Sequence, residues 1–197
     1  TNLAWLHSQT GAHVHADLIV GLPGEDIATF ALGFDRLALS GPHEIQVGIL
    51  KRLRGTPIIR HDNEFNVVWS ADPPYEILQN KMISFAELQR MKRFARAWDL
   101  VANRGNFTGT TPLLWTDRDG NVGSPFAGFA AFAEWLASKT SLAAISLPRL
   151  TELIRQYLVD QRGYSADEAG AAMAPDFAHP GASVPKTLQP YVIELQR

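Results

Sequence analysis

The sequence predicts an α/β fold in two unequal parts. Residues 1–70 alternate helix and strand, giving two parallel strands with their helices, and residues 71–197 form a mainly α-helical domain. Three observations carry this reading. Two segments of the first part place aliphatic residues at every second position, the period of a strand. The segment between them spaces its apolar residues as a helix does. After Pro73 the apolar residues recur at helical spacing, behind capping signals.

The chain opens TNLAWLHSQTG, where Leu3 and Leu6 suit an amphipathic helix ending at Gly11. An opening without Met, already inside a helix, reads as a piece of something longer. A strand over His13–Leu22 follows, then a helix over Asp26–Ser40 with the stripe Phe30, Phe34, Leu37 and Ala38, closed by Gly41. A second strand covers Glu44–Leu53. Strand, helix and strand at this spacing predict a right-handed crossover with parallel strands.

The two strand faces differ in chemistry. Leu18, Val20 and Leu22 share one face of the first strand, and Asp17, Ile19 and Gly21 share the other. In the second, Ile45, Val47 and Ile49 oppose Glu44, Gln46 and Gly48. The aliphatic side suits covering helices. The polar, glycine-bearing side fits two situations equally: strand ends bordering a ligand cavity, as in α/β barrels, or a two-strand edge that meets water.

In the second part, Ser84 and Glu87 form a capping box before Leu88, Met91, Phe94, Trp98 and Val101, with Gly105 past the end. Ser124-Pro125 starts another helix, striped by Phe129, Phe132 and Leu136. A third begins at Pro148, buries Leu150, Leu153, Ile154, Tyr157 and Leu158, and stops at Gly163. Ser165 and Glu168 make a second capping box for a short helix. The tail from Ala174 is rich in Pro, Gly and Ala and is expected to wrap the surface.

Composition narrows the function classes. With 46% hydrophobic residues, five Trp and ten Phe, a packed core is expected. Eighteen basic against 20 acidic residues argue against nucleic acid as a partner. No apolar run approaches the roughly 20 residues that span a bilayer, and the chain is expected in the cytoplasm. With no cysteine, the chain itself holds neither a disulfide nor a thiolate-bound iron–sulfur cluster.

Other constellations read as structure. His13 and His15 share a strand face, but two ligands without a paired carboxylate make a polar strand face the better reading. Lys51, Arg52 and Arg54 could meet a carboxylate or phosphate, though solvated charge is commoner. Asp117, Asp119, Gly120 and Asn121 lack the spacing of a calcium loop and read as a turn. Arg93, Arg96, Asp99 and Arg104 suit an exposed helix face with local ion pairs. Met91, Phe94 and Trp98 suit the core.

DLIVGLPGE, Asp17 to Glu25, resembles the GxIxGxxxE element of the radical S-adenosylmethionine superfamily, with Ile19, Gly21 and Glu25 matching and Asp17 replacing the first glycine. RGTP, Arg54 to Pro57, is similar to the turn after the sixth barrel strand in several of its branches. PPYEIL, Pro73 to Leu78, with the long helix after it, looks like the C-terminal extension of the cobalamin-binding branch.

The resemblance implies that the two strands are the fifth and sixth of a partial (β/α)6 barrel. The family's CxxxCxxC loop, its [4Fe-4S] cluster and the cleavage of S-adenosylmethionine would belong to an N-terminal part of the same polypeptide, so this fragment alone would be inactive. Cofactor contacts fall on Ile19, Gly21, Leu22, Gly24, Glu25, Gln46 and Leu50: backbone against adenine at Ile19–Gly21, Glu25 bracing the turn, and Leu50 on the other side of the adenine. No catalytic residue or metal ligand is assigned to this chain. The helical part would shape access for a small-molecule substrate, cobalamin would be a further cofactor of the parent, and the truncated sheet edge would favour self-association. The competing reading is a non-catalytic helical interaction module.

Overall fold

Where the alternation predicts strands, a parallel pair forms. The computed structural model describes Trp5 and residues 9–196; the helix expected around Leu3 and Leu6 lies outside the described residues, save that Trp5, Gln9 and Thr10 are helical. The chain is mixed α/β, about 52% helical, with seven α-helices among the described residues. Its contacts divide it into two compact units, Thr1–Arg96 and Ala97–Arg197.

In the first unit, β1 (His15–Val20) pairs with β2 (Glu44–Ile49) in parallel, Asp17 opposite Gln46 and Ile19 opposite Gly48. Both strands are shorter than their apolar runs. β1 stops where Gly21 takes φ +99°, a conformation that turns the chain out of the sheet. β2 stops because the chain changes partner: Leu50 N–H still donates to Val20 O, but Leu50 O accepts from Ile77 N–H and Arg52 N–H donates to Tyr75 O. The crossover helix α1 (Ile27–Leu39) is capped by Asp26, whose Oδ1 accepts from Thr29 N–H at 2.8 Å, and it buries Phe30 and Phe34.

A 3-10 turn (Pro57–His61) and the short α2 (Asp62–Phe65) lead to a small antiparallel sheet of β3 (Val68–Trp69) and β4 (Ile77–Gln79). Sequence periodicity does not reveal this sheet, because strands of two and three residues are too short to show a period. It places residues 71–96, read from the sequence as the start of the helical domain, inside the first unit. The contacts responsible are the Lys51–Glu76 bridge, the Leu50–Ile77 bond and the packing of α3 (Phe85–Trp98), where Phe94 meets Phe34 edge-on at 5.1 Å. The predicted Ser84–Glu87 box opens α3: Glu87 Oε2 accepts from Ser84 N–H and Oγ–H.

Beyond Trp98 the helix widens into a π turn, Asp99–Asn103, and Arg104 pairs with Asp99 at 3.5 Å. The second unit is built on α4 (Pro125–Lys139), α5 (Leu147–Arg162) and α6 (Ala166–Met173). Ser124 caps α4, Gly163 ends α5 at φ +73°, and the Ser165–Glu168 box opens α6. A chain of edge-on rings, Trp98–Phe129, Phe129–Phe132 and Phe132–Tyr157, runs through its core.

The tail corrects the expectation of a surface wrap. It forms a 3-10 turn (Ala174–Phe177) and α7 (Gln189–Leu195), and it buries Ala174, Phe177, Leu188 and Val192. Asp176 fastens the turn, its carboxylate accepting from Gly109 N–H, Thr110 N–H and Thr110 Oγ–H at 2.6–2.8 Å.

Candidate functional site

Alternation along β1 and β2 decides which side chains meet. Val20 and Ile45 go into the core, while Asp17, Ile19 and Gln46 stay exposed on the other face. That face and the segment after β2 border an open cavity of about 420 Å³. Asp17 and Gln46 stand at one end, Ile19, Gly48 and Leu50 form the wall, and Lys51 and Thr56 border the far end. Thr56 is fixed by its own turn: its hydroxyl donates to Leu53 O at 2.7 Å, and Gly55 takes φ +85°.

Of the residues singled out in the sequence, Ile19, Gln46 and Leu50 come together on the cavity wall. Gly21, Leu22, Gly24 and Glu25 form the adjoining turn and do not line it. The space beside Gly21 is filled from within the chain: a Cβ there would lie 2.9 Å from Ile77 Cγ2. Asn80 Nδ2 donates to Gly21 O at 3.4 Å, and Asn80 Oδ1 accepts from Met82 and Ile83 N–H, both at 2.8 Å. Asn80 is nearly buried and holds this turn, a role its sequence neighbourhood does not signal.

The brace at the start of α1 is Asp26 rather than Glu25. The amide of Glu25 donates to Leu22 O, but its carboxylate has no hydrogen-bond partner among the described residues. Burial, and then the neighbouring Asp26, raise the Glu25 pKa above its ordinary value.

Beside Asp17 the inner face carries a short polar row. His15 lies between two carboxylates, Nε2 at 3.2 Å from Asp17 Oδ1 and Nδ1 at 3.1 Å from Glu44 Oε2. The Asp17 hydrogen bond raises the His15 pKa first, partial burial opposes it, and Glu44 adds to the rise. His13 does not join this row. It stacks on His43 with ring centroids 4.7 Å apart, and His43 Nδ1 accepts from Val14 N–H. Among the described residues no three His, Asp or Glu side chains are grouped to hold a metal ion, and no helix is long and apolar enough to cross a membrane.

Residues 63–184 match DUF4080, a family of proteins of unknown function. The chain belongs to the DUF4080 family. The matched span begins in α2 and reaches past α6, so it covers β3, β4 and most of the helical part, while β1 and β2 lie before it. No curated protein matches the chain.

Proposed function

We propose that the chain is the C-terminal part of a cytoplasmic radical S-adenosylmethionine enzyme of the cobalamin-binding branch, an oxidoreductase or transferase acting on a small molecule. In this reading β1 and β2 are its last two barrel strands, and the cavity beyond them is part of the adenine-binding wall. One observation carries it. The two segments that resemble family motifs, DLIVGLPGE and RGTP, begin on β1 of the parallel pair and lie in the turn after β2, and Asp17–Ile19 of the first and Thr56 of the second line one cavity. Parallel strands present ligands at their carboxyl ends, and this cavity runs from mid-strand to the segment after the carboxyl end of β2, where Leu50, Lys51 and Thr56 line it. The DUF4080 family is found in radical S-adenosylmethionine-associated proteins, which also supports the reading.

The residues present fit one half of the cofactor. Ile19 and Leu50 offer apolar faces to a flat heterocycle, Gln46 offers an amide, and Gly48 leaves the wall open, since a Cβ there would meet only Leu18 O at 3.7 Å. They do not fit the cluster, because the chain has no cysteine. Cluster, methionine end and the chemistry they supply belong to the N-terminal part of the polypeptide. Among the described residues β1 pairs only with β2, so its other edge is free for the preceding barrel strands, or for a second copy in their absence.

The test is the gene upstream of the codon for Thr1, followed by anaerobic reconstitution of the full polypeptide with iron and sulfide. A CxxxCxxC motif and release of 5′-deoxyadenosine are expected. An upstream sequence without that motif would end the reading.

A further inference from the structure

The cavity is electrically asymmetric along its length. At one end Asp17 and Gln46 stand opposite each other across the strand pair. Asp17 uses Oδ1 toward His15, and the Gln46 amide has no partner among the described residues. Behind them Glu44 supplies a second carboxylate. Two carboxylates facing one imidazolium leave that end with a net negative charge even when His15 is protonated, and the stacked His13 and His43 are the other titratable groups nearby. At the other end Lys51, exposed and among the lining residues, carries an ammonium. Glu76, its backbone pairing partner, is taken by Lys92 at 2.6 Å, so Lys51 has no ion-pair partner among the described residues. The exposed Arg52 and Arg54 add positive charge beside it. Gln46 and Lys51 are five residues apart, up to roughly 16 Å along extended chain, with Ile19 and Leu50 between the ends.

We propose that this cavity takes an elongated dipolar small molecule, with an ammonium, amidinium or other hydrogen-bond-donating group at Asp17 and Gln46, an apolar body over Ile19 and Leu50, and a carboxylate or phosphate at Lys51. A carboxylate and an amide oxygen side by side accept paired N–H donors and repel an anion. An unpaired ammonium does the opposite. The inference rests on reading this cavity as a ligand site; it does not require the cluster.

The experiment uses the isotope-labelled chain, amide chemical shifts and two flat probes of similar shape and opposite charge, benzamidine and benzoate. Benzamidine should shift the Asp17 and Gln46 amides saturably, and benzoate those of Lys51 and Thr56. Asp17→Asn should weaken benzamidine at least fivefold and leave benzoate unchanged; Lys51→Met should do the reverse. Probes mapping to the same residues, variants without effect, or no saturable shifts with either probe would overturn the proposal. Failure of the parent polypeptide to bind S-adenosylmethionine, with the probes mapping as expected, would instead remove the cofactor reading and support the dipolar cavity.

Discussion

Gly21 and Ile77 share a space that only one side chain can occupy: a Cβ on Gly21 would lie 2.9 Å from Ile77 Cγ2. Gly21 ends β1 at φ +99°, and Ile77, fully buried, begins β4. Gly21→Ala therefore adds backbone strain of about 1–2 kcal/mol to overpacking of about 1–3 kcal/mol. A loss of roughly 2–5 kcal/mol is expected in denaturant unfolding. A loss under about 0.5 kcal/mol would mean that this turn is not packed as described.

The tail offers a parallel case. Gly170 in α6 lies against the Tyr191 ring of α7, where a Cβ would overlap ring carbons, and Tyr191 Oη–H donates to Asp167 Oδ1 at 2.8 Å. Gly170→Ala should loosen α7 and open a proteolytic site near Leu188, with a cost of about 1–3 kcal/mol. Unchanged protease resistance would count against the packed tail.

These two glycines mark what the sequence could and could not show. Caps were legible because their chemistry is local: Ser84, Ser124 and Ser165 each accept from the amide three residues on. So were Met91, Phe94 and Trp98, whose helical spacing alone places them in the core. The end of β2 was not, since it depends on Ile77 and Tyr75, which are distant in sequence. α7 was hidden by the Pro- and Gly-rich chain before it, although Leu188 and Val192 already stood at helical spacing. Of the site, the polar face was readable from period two. The partition between wall and turn was not, because Gly21 and Glu25 carry a local signal that suits packing as well as binding.

His15 should titrate above its ordinary 6.5, because protonation is favoured by Asp17 and then Glu44. A raised folded pKa means that the ring's contribution to stability is fully present below about 6.5 and is lost as pH rises through the raised value. A proton NMR titration should show this, with Glu44→Gln and Asp17→Asn each moving the midpoint down. A midpoint at or below the ordinary value would show that the carboxylates do not hold the ring in solution.

Glu168 behaves oppositely. Arg118 first, then the Ser165 N–H and hydroxyl, hold its carboxyl at about 2. A depressed folded pKa contributes stability above the ordinary 4.5 that is lost as pH falls toward 2. Thermal midpoints of the wild type and Glu168→Gln should differ near neutrality and converge as pH approaches 2. Parallel curves over that range would remove the pair from the account.

Gly48 gives the most direct test of the cavity as a cofactor wall. Its backbone is not in the left-handed region, and a Cβ there would make only an ordinary contact with Leu18 O at 3.7 Å, so Gly48→Val should fill the wall without unfolding the strand pair. The deciding measurement is S-adenosylmethionine binding, by calorimetry, to the reconstituted full-length polypeptide and its Gly48→Val variant. The account predicts saturable binding by the wild type and at least a tenfold loss in the variant, with unchanged thermal midpoints. Equal binding by both, or none by the wild type, would contradict it.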